Sequence, residues 1–206
     1  MQKARAIQEE KWNTYSHAIA IPLSIIGFFI LLMKFEENSR LFFPVIIYSL
    51  SLILLFSAST IYHFIDNPPL KKKLRILDHI SIYYLIAGTY TPFCMALLME
   101  SKGSLLLYLV WGIAIFGTLL KILFTGKFEI FSLTLYGIMG WLVIIDLPYL
   151  ISNTSSNLLL YLTLGGVCYT FGIIFYANNR IPFGHVIWHL FVLGGAIFHW
   201  ILIYSL

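Results

Sequence analysis

Of the six histidines in this chain of 206 residues, His185 and His189 stand four apart, so on a helix both imidazoles project from one side. Ser59 and His63 repeat that spacing and set a hydroxyl one turn, about 6 Å, from a third imidazole. Asp78 adds a carboxylate. In apolar surroundings such groups need partners, since an Asp at a helix centre costs about 2.5–3.5 kcal/mol on insertion scales. Three neutral imidazoles with a fourth position open form a known zinc arrangement, which acidifies a bound water near neutral pH. There Asp78 would orient or deprotonate the water, or accept a hydrogen bond from an imidazole and fix its tautomer, while Ser59 would bond the water or a substrate oxygen. Blander roles fit the same residues: histidines in helix interfaces or core hydrogen bonds, Asp78 as a helix cap, Ser59 as a packing serine. Spacing alone leaves both sets open.

These side chains meet only if the elements carrying them do. At 60% hydrophobic and 11% charged, with mean hydropathy +0.88, the chain lacks the polar residues to cover a soluble domain. Apolar runs fall at about 14–33, 42–62, 80–99, 104–124, 130–149, 158–177 and 186–205, each long enough to cross about 30 Å of hydrocarbon as a helix. Runs such as 46–56 are almost uniformly apolar, unlike the alternating strands of a barrel. The expectation is an all-α membrane protein: one seven-transmembrane-helix bundle over residues 1–206, multi-pass in a bacterial inner or plasma membrane. The first run exceeds a signal-peptide core, follows Glu9 and Glu10, and reaches Lys34 without a small-residue cleavage site, so it is expected to be retained. Pro22, Pro92 and Pro148 predict kinks. Cys94 and Cys168 each lie in an apolar run and read as buried thiols, without a disulfide framework or thiolate metal site.

Charge sets the expected orientation. The 13 Lys and Arg against 9 Asp and Glu give +4, and their distribution suits loops rather than a nucleic-acid footprint. Lys3, Arg5, Lys11, Lys71, Lys72, Lys73, Arg75, Lys121, Lys127 and Arg180 fall on one side, against Lys34, Arg40 and Lys102 on the other. The positive-inside rule then places the N-terminus in the cytoplasm and the C-terminus outside. Span two would end at His63 on the cytoplasmic face, span three begin there at Asp78, and span seven open with His185 and His189, so the four groups share a depth with His17. His79 points roughly 100° away from Asp78 and reads as interfacial, while His199, about 15 Å deeper than His189, reads as a packing residue. Asp146 is expected solvated at the outer end of span five, and Asp66 is a reserve carboxylate. The Lys71–Arg75 cluster suits anionic lipid, at about 1 kcal/mol per basic residue near a surface. Residues 152–157 read as a short outer loop, and Gly112, Gly117, Gly194 and Gly195 as sites of close helix contact.

Glu10-x-x-Asn13-x-x-Ser16-His17, then Ser59-x-x-x-His63 with Leu77-Asp78-His79, then His185-x-x-x-His189, resemble the three motifs of the haemolysin III family. That family is the bacterial branch of the progestin and adiponectin receptor superfamily, itself similar to the alkaline ceramidases. The phrases Ala87-Gly88-Thr89-Tyr90-Thr91-Pro92-Phe93 and Arg180-Ile181-Pro182-Phe183-Gly184-His185 also resemble its bacterial members, and the likeness runs from Glu10 to His199. Ser16 departs from the usual threonine but keeps the hydroxyl. The resemblance implies seven helices, a cytoplasmic N-terminus, and Zn2+ held by His63, His185 and His189, with Asp78 and Ser59 as catalytic residues beside the metal's water. For Glu10, Asn13 and His17 it implies a motif without a settled role, and a polar lock of the N-terminal segment onto the bundle is the plain expectation.

Three functions follow as expectations. The first is an intramembrane zinc hydrolase cutting a lipid amide or ester, with membrane lipid as partner and substrate. The second is a membrane-homeostasis or lipid-sensing protein with structural zinc. The third is a pore-forming cytolysin, against which stand seven apolar helices suited to the producer's own membrane.

Overall fold

The structure, a computed structural model, describes residues 2–124, 127–178 and 180–206, with the backbone alone at residues 2 and 3. The side chain of Lys3, one of the basic residues counted above, thus lies outside the described residues. The described residues contain no strand. They form α1 (Gln2–Ala18), α2 (Ala20–Lys34), α3 (Phe42–Phe64), α4 (Pro68–Leu97), α5 (Gly103–Phe124), α6 (Glu129–Trp141), a 3-10 turn (Leu142–Asp146), α7 (Leu147–Asn153), α8 (Ser156–Ala177) and α9 (Gly184–Tyr204). Seven stretches are long and apolar enough to span a bilayer: α1 with α2, α3, α4, α5, α6 through α7, α8 and α9. The chain is a multi-pass helical membrane protein.

Large apolar side chains point outward along the spans, among them Phe29, Phe43, Ile115 and Ile130, as suits a surface facing lipid. α3 and α4 are the most enclosed spans and α8 the least. Tyr48, Phe56 and Tyr83, fully buried, fill the centre. α8 and α9 approach closely because each lends glycines to the other's rings: His199 and Trp188 of α9 pack onto Gly165 and Gly172, and Tyr169 of α8 onto Gly195. Gly117 receives Tyr83 and Gly194 has the Cys168 sulfur nearby, whereas Gly112 faces open space. The glycine expectation therefore fails at Gly112, whose side of α5 meets no neighbour.

Two spans begin earlier than hydropathy predicts. α1 runs from Gln2 and α4 from Pro68, because the polar residues ahead of an apolar run continue its helix. Pro68 and Pro69 open α4 behind Asn67, whose Oδ1 accepts from Leu70 N at 3.1 Å. Asp78 accordingly lies well inside α4 and caps nothing. Lys121, expected in a loop, is 1% exposed within α5. Pro22 offers no N–H to the Ala18 carbonyl and crowds it, and the chain breaks at Ile19 between α1 and α2. α4 passes through Pro92 unbroken, and Pro148 sits in the first turn of α7, where its missing N–H matters least.

Asp146 corrects another expectation. It is 3% exposed rather than solvated, since the 3-10 turn swings its carboxylate over the loop between α4 and α5. There Ser101 Oγ donates to Oδ1 at 2.8 Å and Lys102 N to Oδ2 at 2.9 Å. At the same end the Lys34 ammonium donates to the Tyr204 carbonyl, joining α2 to α9. Cys94 is buried and Cys168 only half-buried, both free, because α8 lies at the periphery. The expected 152–157 loop shrinks to Thr154 and Ser155, the latter capping α8.

Candidate metal centre

His63 stands in the last turn of α3, while His185 and His189 occupy the first two turns of α9. α9 starts abruptly because Phe183 adopts the left-handed conformation (φ 55°), worth about 1–2 kcal/mol of backbone strain in a non-glycine residue. One ring nitrogen from each of the three histidines lies within 4.8 Å of the other two. Ring centroids are 5.0 Å apart for His63 with His185, 5.0 Å for His63 with His189 and 4.7 Å for the i, i+4 pair. His63 is 4% and His189 2% exposed.

The most telling atom is His63 Nε2, buried with no hydrogen-bond partner. A dry, unpaired ring nitrogen is costly to bury, and a cation shared with the two neighbouring imidazoles removes that cost. The three ring nitrogens so gathered could hold a metal ion. The Asp78 carboxylate of α4 has the His63 imidazole, the Ser59 hydroxyl and the Arg75 guanidinium as its polar neighbours and is not one of the three clustered groups. A cavity of about 320 Å³ leads from the surface to His185 and is lined by Arg5, Glu9, Tyr176 and Asn178 among others.

The N-terminal motif also arrives here. Glu10 Oε2 is 3.3 Å from His63 Nδ1 and accepts from Lys71 Nζ at 2.6 Å. The Asn13 carbonyl and Ser16 Oγ lie 3.2 and 3.0 Å from His189 Nδ1. His17 stacks on His189 with ring centroids 3.7 Å apart, and both its nitrogens are buried without partners. The sequence placed Glu10, Asn13, Ser16 and His17 in one motif and read Glu10, Asn13 and His17 as a polar lock of the N-terminal segment onto the bundle, whereas Lys71 was read for its charge alone. The spacing of Glu10, Asn13 and His17, three and seven apart, marks one helix face and was the available signal. Lys71 offered none beyond its charge.

His79, expected at the interface, is instead buried between helices. Its rotation from Asp78 turns it inward, where Nδ1 lies 3.7 Å from Glu129 Oε2. Lys121 and Arg75 reach the same carboxylate at 2.7 and 3.2 Å, an ion cluster that sequence reasoning did not find. His199 stands apart from the centre, with Nε2 3.4 Å from the Leu162 carbonyl oxygen, and Asp66 is exposed and takes no part.

Fold and site together define an integral membrane protein of seven spans with a buried three-histidine cluster at one end. The family model described as "Haemolysin-III related" matches residues 5–200. The chain is 41% identical over 203 residues to the "Hemolysin-3 homolog" of Bacillus subtilis (strain 168), covering 96% of this chain and 95% of that protein. It is 40% identical over 192 residues to "Hemolysin-3" of Bacillus cereus (92% and 88%), and 30% identical over 207 residues to the "Monocyte to macrophage differentiation factor" of Homo sapiens (96% and 84%). The chain belongs to the haemolysin III family.

Proposed function

We propose that the chain is a zinc-dependent hydrolase of amide or ester bonds in membrane lipids, with the histidine centre near the cytoplasmic face. The observation that carries this reading is the buried, partnerless Nε2 of His63 gathered with a ring nitrogen each of His185 and His189. The donor set suits zinc: three imidazoles, a nearby carboxylate and room for a fourth position toward the His185 cavity. His63, His185 and His189 would hold the ion through one ring nitrogen each. Zinc supplies Lewis acidity, acidifying a water and polarising a carbonyl. Asp78 takes the proton of the attacking water on a carboxylate oxygen and passes it to the leaving amine or alkoxide. Ser59 donates its hydroxyl proton toward the developing oxyanion. The resemblance to the ceramidases supports a lipid substrate.

Purified, zinc-loaded protein incubated with a panel of ceramides, sphingolipids and phospholipids should release fatty acid, and a panel left uncut would contradict hydrolysis. The hemolysin names of the Bacillus relatives favour a second reading, membrane lysis. Liposome dye release that rises with protein concentration and survives zinc removal would select it.

A further inference from the structure

The hydrogen-bond contacts that α1 makes with His63 and His189 all offer acceptor oxygens. Glu10 Oε2 faces His63 Nδ1 at 3.3 Å while receiving the Lys71 ammonium at 2.6 Å, so it offers His63 a carboxylate oxygen. The Asn13 carbonyl oxygen faces His189 Nδ1 at 3.2 Å and carries no proton to give. The Ser16 hydroxyl donates its proton to that same carbonyl at 2.9 Å, which leaves the serine oxygen to accept from His189 Nδ1 at 3.0 Å. In every one of these contacts the proton must sit on the imidazole Nδ1. A neutral imidazole has one N–H, so Nε2 is then the bare lone pair on both rings. On His63 that is the very atom buried without a partner. His17, stacked flat on His189 with the planes 10° apart, restrains the tilt of that ring.

We propose that α1 sets the tautomers of the centre: Glu10 fixes His63, and Asn13 with Ser16 fixes His189, each as the Nδ1–H form that presents Nε2 to the metal. These are positioning residues, acting through the imidazoles rather than on substrate. The proposal rests on the metal reading above and explains why a polar helix is packed against an apolar bundle at this point. Bases ordered in advance bind metal more tightly, and losing such an outer partner typically weakens affinity about 10–100-fold.

Two measurements on the full chain in lipid nanodiscs test it. In metal-free, 15N-histidine-labelled protein, long-range proton–nitrogen correlations, assigned with His63→Gln and His189→Gln, should show both residues protonated at Nδ1. Glu10→Ala should shift His63 toward the Nε2–H form and leave His189 unchanged. Either histidine protonated at Nε2 in the wild type, or a His63 indifferent to Glu10→Ala, would overturn the proposal. Zinc affinity by chelator competition should fall at least about tenfold in Glu10→Ala. Glu10→Gln keeps an acceptor oxygen and should recover most of that loss, with unfolding of both metal-free variants matching the wild type. Equal losses in the two variants would overturn the hydrogen-bond account. A wild type that binds no zinc would sink the metal reading, whereas tight zinc binding unaffected by Glu10→Ala would sink the tautomer proposal alone.

Discussion

Ser59 and His63 stand one turn apart on α3, and both are electrostatic neighbours of the Asp78 carboxylate on α4. A carboxylate so placed can accept a proton, and an amide of the same shape cannot. Asp78→Asn should therefore keep the wild-type metal content and lower lipid hydrolysis by about 10²–10⁴-fold, read by metal analysis and fatty-acid release on one sample. Unchanged hydrolysis would contradict the general-base role, and unchanged cellular activity without any hydrolysis would favour the lipid-sensing alternative. The three histidines were legible because i, i+4 spacing and span ends are local features. The Glu10 contact with His63 spans 53 positions between separate helices, and no local pattern encodes it. His79 and Asp146 misled for the same reason: helix rotation and a 3-10 turn decide whether a polar residue near a span end faces water or a partner.

At the scale of elements, the seven spans were readable from apolar length, while their starts were not. Hydropathy marks only the stretch that lies in hydrocarbon, and α1 and α4 extend past it through polar turns, one joined at Ile19 to α2 and the other capped by Asn67. The pairing of α8 with α9 was only half visible, since glycines announce close contact without naming the ring that fills it. Gly195→Leu would drive a side chain into Tyr169 and should destabilise the bundle by about 1–3 kcal/mol, seen as a lower melting temperature in detergent. Gly112→Leu, which meets nothing, should leave that temperature within error of the wild type. Equal effects at both sites would contradict the α8–α9 contact described above.

For the whole molecule, an odd number of spans puts the termini on opposite faces, and by the positive-inside rule the weight of Lys and Arg is expected to hold the N-terminus in the cytoplasm. A periplasm-active phosphatase fused after Leu206 should be active and one fused before Met1 inactive; the reverse pattern would put the histidine centre outside and remove the cytoplasmic-face proposal. Everything else depends on whether three imidazoles brought together from α3 and α9 hold zinc. The direct measurement is metal analysis of detergent-purified wild type beside His63→Ala and His185→Ala, with each fold checked by thermal unfolding. About one zinc per wild-type chain, falling at least about tenfold in affinity or to trace content in each folded variant, is the predicted result. A wild type free of zinc, or full zinc in both variants, would contradict the site.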